Sequence, residues 1–283
     1  MTTKERAAEF PPVTLIEAGR SEEKYWRDVW RYRELLYFLA WRDVLVRYKQ
    51  TAVGVTWVVL RPLLIMAIFT FAFGRVAKLP SDDGIPYSLM VLAGLLPWQF
   101  FSTALSDASL SLMGNANLIT KVYFPRILIP LSAIATCIVD FLVTLALLVV
   151  FAIWFGVIPT WRIVLLPAFF ALMVVPALGA GILLSALTVR YRDFRYVVPF
   201  IVQFGLYISP VGFSSKVIPD QFSMLFALNP MVGVIDGFRW ALLGTSTSMD
   251  APVLFSSCLI STLLSIVAVR YFRQTERSFA DEI

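Results

Sequence analysis

Six apolar stretches punctuate the chain, at residues 53–73, 87–112, 127–155, 163–189, 197–211 and 251–271. A helix needs about 20 mostly apolar residues to cross the ~30 Å hydrocarbon core of a bilayer. Most of the stretches reach that length, while the fifth is short and interrupted by polar residues. The pattern predicts an all-α integral membrane protein with six transmembrane helices. Between the fifth and sixth lie two shorter apolar segments, 221–228 and 231–243, separated by Asn229-Pro230. Each is too short to span, so two short re-entrant or interfacial helices are expected there. Non-helical backbone at membrane depth survives only when buried in protein or lining a cavity. Residues 209–250 therefore read as an extracytoplasmic gate, with Pro210, Pro219, Asn229 and Pro230 at its breaks, or as a hairpin lying on the surface.

The first 20 residues read as a flexible terminus, with Pro11-Pro12 breaking any helix. Ser21 followed by two glutamates is an N-cap with acids in the first turn. It predicts a helix over 22–37 in which Tyr25, Trp26, Val29, Trp30, Tyr32 and Leu36 alternate with Arg27, Arg31 and Arg33. Such an amphipathic, aromatic-rich helix suits the membrane interface, as an anchor or as a surface that holds a soluble partner. In segment 115–126, Leu118, Ile119, Val122 and Tyr123 form one apolar face and Pro125 stops the run, which predicts a short helix parallel to the membrane. The chain thus divides into a flexible terminus (1–20), an interface helix and lead-in (21–50), a membrane domain (51–275) and a tail (276–283). Ala177, Gly181 and Ser185, spaced by four, suit close helix packing.

Composition sharpens this picture. Hydrophobic residues make up 59% of the 283 and charged residues 15%, against roughly 25% charged in a soluble domain. The net charge of +5 gives no argument for nucleic acid, because the basic residues cluster at the ends of the apolar runs. Eighteen of the 24 Lys and Arg fall on the side shared by the two termini, from Lys4 through Lys49, at Lys121 and Arg126, at Arg190, Arg192 and Arg195, and at Arg270, Arg273 and Arg277. Lys/Arg excess marks the cytoplasmic side, so both termini are expected there. The chain has no histidine, which removes the usual general base and metal ligand. Cys137 and Cys258 sit within apolar runs and read as small hydrophobes. No Gly-x-x-x-x-Gly-Lys-Ser/Thr occurs, so this chain carries no phosphate cradle of that kind for ATP and its magnesium. With no clustered carboxylates and no His-based site, a membrane-embedded enzyme is disfavoured and no metal site is expected.

Three ionisable residues fall inside the spans, where they default to functional hypotheses. Arg61 and Asp107 lie at comparable shallow depth and are expected to pair or to face one aqueous vestibule, unless Arg61 snorkels to head groups. Asp140, near the middle of the third span, reads as a hydrogen-bonded buried carboxylate or as a proton relay in an ion-coupled carrier.

Several motifs carry a family resemblance. Trp30-Arg-Tyr-Arg-Glu-Leu-Leu, Trp41-Arg-Asp, Arg47-Tyr-Lys-Gln-Thr-Ala-Val-Gly and Trp57-Val-Val-Leu-Arg-Pro62 resemble the start of type 2 ABC exporter permeases of the O-antigen, capsule and teichoic-acid polysaccharide group. Asn117-Leu-Ile-Thr-Lys-Val-Tyr-Phe-Pro125, Tyr207-Ile-Ser-Pro-Val, Leu228-Asn-Pro-Met and Gly237-Phe-Arg-Trp-Ala fit the same group, over residue 22 to the end. The resemblance implies a half-transporter in the bacterial inner membrane: two permease copies form a channel for a lipid-linked glycan, and two copies of a separate ATPase bind beneath. It implies that Trp26, Trp30, Arg31 and Arg33 on the interface helix, and Asn117, Leu118, Lys121, Tyr123 and Phe124 on a coupling helix, meet the ATPase. It makes the segments after Pro210 gate helices. A sliding polymer suits an aromatic wall, for which Phe69, Phe73, Trp98, Phe100, Phe101, Phe204 and Tyr207 are candidates; the alternative is ordinary core and interface packing. Arg42, Arg47, Lys49 and Arg61 are candidates to guide an anionic pyrophosphate at the entrance. An exporter of a small drug or lipid is the alternative within the same class.

Overall fold

The computed structural model describes residues 22–49, 52–158, 160–244 and 250–282. The expected N-cap at Ser21 and the flexible segment 1–20 lie outside them. Among the described residues all regular structure is helical. Helix α1 (Glu22–Arg31) and helix α2 (Arg33–Lys49) meet at Tyr32, where the Tyr32 N–H still donates to Asp28 O at 2.9 Å and the Leu36 N–H to Tyr32 O at 3.2 Å. The junction is thus a bend, and the helix expected to end near residue 37 runs on to Lys49. Helix α3 (Ala52–Phe69) continues as a wider π-helical stretch, Thr70–Val76, in which the Ala77 N–H reaches back five residues to Ala72 O at 3.0 Å. Helices α4 (Tyr87–Gly114), α5 (Ala116–Lys121), α6 (Leu128–Trp154), α7 (Leu166–Arg190), α8 (Phe194–Ile208), α9 (Asp220–Ala227), α10 (Pro230–Leu243), α11 (Ala251–Thr275) and α12 (Phe279–Glu282) complete the chain.

Among the described residues, five helical segments are long and apolar enough to cross a membrane: Thr56–Val76, Tyr87–Gly114, Leu128–Trp154, Trp161–Arg190 and Ala251–Thr275. The sixth expected span, α8, has 15 residues. At ~1.5 Å per residue it is about 22 Å long, short of the hydrocarbon core. Its end is set at Ser209, whose extended backbone leads into Pro210.

Helix α4 is the hub. Of its most apolar window 78% is buried, against 17% for α11 and 11% for the first span, so α4 is wrapped by protein while those helices face outward. It packs against α3, α6, α7, α8 and α10. Small residues set the closest approaches, since only they let helix backbones near one another. A Cβ on Gly181 of α7 would lie 3.0 Å from the Ala108 Cβ of α4, and one on Gly179 would lie 2.9 Å from the Ser265 nitrogen of α11. Ala177, Gly181 and Ser185 are all buried, so their spacing does mark a packed face of α7.

A second core gathers one end of the bundle. Ile119 of α5, Phe124, Leu128 of α6, Val189 of α7, Phe272 of α11 and Phe279 of α12 are buried together, with Tyr25 and Val29 of α1 against them. Segments far apart in sequence thus share one end, as their common basic character anticipated.

Candidate functional site

The centre of interest is a three-way ionic junction between the lead-in helix and two span helices. Arg47, in the last turn of α2, donates from Nη1 to the Asp140 carboxylate of α6 at 2.7 Å and from Nη2 to the Asp107 carboxylate of α4. The neighbouring Tyr48 hydroxyl donates to the other Asp140 oxygen. Burial opposes the Arg47 charge, yet the two carboxylates outweigh it and move its pKa upward. Burial first, and then the Asp140 acceptor, push the Tyr48 phenol upward, so it stays a donor. One turn before, Arg42 pairs with Asp43 at 2.7 Å and donates to the Asn115 side-chain oxygen at 3.0 Å, where α4 gives way to α5. Asn115 in turn donates to Ser111 O at 2.9 Å.

Arg47, Asp107 and Asp140 border a cavity of about 310 Å³ between α3, α4 and α6. Arg61, Gln99 and Thr103 line it with Asp107 and Asp140, and Trp57, Phe100 and Phe141 give it aromatic walls. Arg61 thus shares a chamber with Asp107, but the cation paired with Asp107 is Arg47. The reason is reach: helix α2 lies against α6, which carries the Arg47 fork to both acids, whereas Arg61 remains exposed on α3. Lys49 is also exposed.

At the bundle end, α5 sits on the second core. Ile119 and Phe124 are buried, Leu118 is half-buried, and Asn117, Lys121 and Tyr123 face outward. This corrects the expected apolar face of Leu118, Ile119, Val122 and Tyr123. Helix α5 stops at Lys121 and Val122 is extended, with φ −129° and ψ 136°, so the helical period ends before Tyr123 and Phe124 turns inward instead. Trp26, Trp30 and Arg31 of α1 and Arg33 of α2 are exposed, with the Arg33 guanidinium 5.6 Å from the Trp30 ring centre. The end is pinned by residues the sequence reading passed over. The Arg126 N–H donates to the Glu276 carboxylate at 2.6 Å, its guanidinium donates to the Glu276 carbonyl, and Arg273 stacks over the Tyr25 ring at 4.6 Å. Burial pushes the Glu276 carboxyl upward, only partly offset by Arg126.

The opposite end is locked by a cation. Arg239 is buried within α10, where it donates from Nε to Met90 O at 3.2 Å, from Nη1 to Phe213 O at 3.0 Å and from Nη2 to Val211 O at 2.8 Å. An arginine inside the apolar run 231–243 was the available signal. Asn229 caps α10 through the Met231 N–H at 3.0 Å and donates to the Ser209 hydroxyl at 2.9 Å, while the Tyr87 hydroxyl donates to Gly212 O. Pro210 is buried, Pro230 half-buried at the first turn of α10, and Pro219 exposed ahead of α9. Residues 245–249 of the expected gate region lie outside the described residues.

The seven aromatic candidates for a channel wall divide by burial. Phe69, Trp98 and Phe100 are buried in the chain's own core, and Phe73 and Phe101 are half-buried against it. Phe100 meets Phe141 edge to face and Phe170 at a tilt, and the Trp98 ring lies under Gly205 of α8, where a Cβ would come within 2.5 Å of it. Core packing accounts for these five, whereas Phe204 and Tyr207 project from α8 with more than half their surface exposed.

Comparison with known proteins agrees with this architecture. Residues 34–243 match the ABC-2 type transporter family. The chain is 29% identical to the O-antigen export system permease protein RfbA of Myxococcus xanthus over 259 residues, covering 91% of this chain and 98% of that protein. It is 30% identical to an RfbA of the same description from Klebsiella pneumoniae, covering 88% and 94%, and 23% identical to the polysialic acid transport protein KpsM of Escherichia coli, covering 71% and 78%. A multi-pass helical bundle matched over most of its length to membrane permeases of this kind belongs to the ABC-2 type transporter family.

Proposed function

We propose that the chain is the membrane subunit of an ATP-driven exporter that carries a lipid-linked polysaccharide, an O-antigen or related glycan, out of the cytoplasm across a bacterial inner membrane. Both termini lie on the cytoplasmic side. The observation that carries this reading is the seat of α5. Its buried anchors, Ile119 and Phe124, join it to the ends of α6, α7, α11 and α12, while Asn117, Lys121 and Tyr123 stay free of the core. A push on that exposed face reaches several span ends at once, as coupling to a separate ATPase requires. Trp26 and Trp30 add an exposed aromatic edge on the same end.

Two copies are proposed to form the conduit. Support comes from α8 and α3, where Phe200, Phe204, Tyr207 and Ile208, with Ile68 and Phe71, are large apolar side chains left exposed by the single chain. Helices α9 and α10 are proposed as the re-entrant gate, with α10 held among α4, α7 and α11. The ion-coupled alternative loses ground because both Asp140 oxygens are engaged, by Arg47 and Tyr48.

The test is co-purification with the candidate ATPase subunit, then ATP turnover in lipid with and without a lipid-linked glycan. Stoichiometric capture and glycan-stimulated turnover are expected. Absence of capture overturns the reading, and stimulation by small drugs but by no glycan redirects it to the drug-export alternative.

A further inference from the structure

A groove of about 900 Å³ runs along α11 where that helix meets α7 and α1, and it shares no lining residue with the cavity at the Arg47 junction. The α11 residues that line it recur every three or four positions from Thr262 to Gln274, so they form one helical face, and Arg277 follows in the turn after the helix. Twelve steps from Thr262 to Gln274 at ~1.5 Å each make that face about 18 Å long, and the Arg277 turn extends it by a few ångströms. One bilayer leaflet with its head groups has about that thickness.

The groove is graded along this length. Its inner half is walled by Val175 of α7 and by Ile266 and Val269 of α11. The Ser265 hydroxyl beside them is turned onto Val175 O at 3.0 Å and Ser261 O at 2.8 Å, which leaves an apolar wall. Its outer half carries Arg270, Arg273 and Arg277, with Trp26 of α1 at the rim. Two exposed guanidiniums able to fork onto an anionic oxygen, Arg270 and Arg277, with Arg273 adding its charge between them, meet an apolar channel at the depth where phosphates lie. Basic pockets between span helices at a membrane surface suit anionic head groups, and an indole at the rim suits the interface.

We propose that this groove binds one anionic glycerophospholipid of the adjoining leaflet, its phosphate held by Arg270, Arg273 and Arg277 and one acyl chain laid against Ile266 and Val269. The occupant is a bilayer lipid because the apolar half continues the arginine cluster for the length of a leaflet. Arg273 also stacks on Tyr25 at 4.6 Å, so the bound phosphate rests on the joint between α1 and α11. The lipid would stiffen the attachment of the interface helix.

The experiment needs neither the ATPase nor a glycan, so its failure is distinct from failure of the exporter reading. The detergent-purified full chain is titrated with phosphatidylglycerol or phosphatidylcholine and retained lipid is counted by native mass spectrometry. One phosphatidylglycerol per chain is expected, at an affinity well above that for phosphatidylcholine. The double variant Arg270→Gln, Arg277→Gln leaves Arg273 and its stack in place and is expected to weaken retention about 30-fold, on the order of fivefold per arginine. Arg75→Gln, at the other end of the first span, is expected to change nothing. Equal retention of the two lipids, or equal retention by the double variant, overturns the proposal. So does a site that binds inorganic pyrophosphate but retains no phosphatidylglycerol.

Discussion

Replacing Arg47 with methionine removes one cation and strands two acids. At an effective dielectric near 20, unit charges at the 2.7 Å separation of Arg47 and Asp140 attract by about 6 kcal/mol, most of it offset by desolvation. Deleting only the cation therefore costs more than the intact pair contributes. The usual figure for breaking a buried pair is about 3–5 kcal/mol. The Asp107 and Asp140 side chains keep 34% and 24% exposure toward the cavity, so hydration offsets part of the loss and about 2–3 kcal/mol is expected. For a chain of this size that is a fall in Tm of roughly 4–10 °C. The assay is thermal unfolding of purified protein in detergent, followed by tryptophan fluorescence. Arg47→Lys should fall between, because an ammonium keeps the charge but loses the fork that meets both acids. The triple change Arg47→Met, Asp107→Asn, Asp140→Asn should recover most of the loss, since no unpaired charge remains. A wild-type Tm for the single variant, or a triple variant no better than it, would refute the reasoning.

Other outcomes follow from the same geometry. Asp140→Asn should leave ATP-driven export intact in reconstituted vesicles, and its abolition would instead favour proton coupling. Arg239→Met strands the carbonyls of Met90, Val211 and Phe213, at about 1–3 kcal/mol for each buried acceptor left without a partner, and should lower Tm by more than Arg47→Met. Gly237→Ala forces a methyl into the Phe169 ring, so a loss of about 1–3 kcal/mol is expected, relieved when Phe169→Leu is added. The Glu276 carboxyl is raised by burial, so the folded state binds its proton more tightly than the unfolded chain. Stability contributed by this group is therefore full below the ordinary glutamate range and lost as pH rises through the raised folded value. Glu276→Gln should flatten that part of a Tm-against-pH curve, and an unchanged slope would discount the burial.

The sequence determined much of this protein by itself. Apolar length placed α3, α4, α6, α7 and α11, because a run of some 20 apolar residues has few places to go except across a bilayer. Short runs around Asn229-Pro230 gave α9 and α10 to within a residue or so, since Asn caps and Pro starts a helix. The basic segments gathered at one end as their shared charge anticipated. Local pattern failed where a contact spans many residues. Nothing near Arg47 reveals that its partners stand 60 and 93 positions away, and the same shallow depth made Arg61 look equally suited to Asp107. Likewise the sequence left Phe69, Trp98 and Phe100 open between a channel wall and core packing, and in the fold all three are buried, because hydropathy cannot distinguish a helix face turned to protein from one turned to lipid or to a passage. Which apolar face is buried, and which acid an arginine meets, are decided by how helices are brought side by side, and only the tertiary structure holds that information.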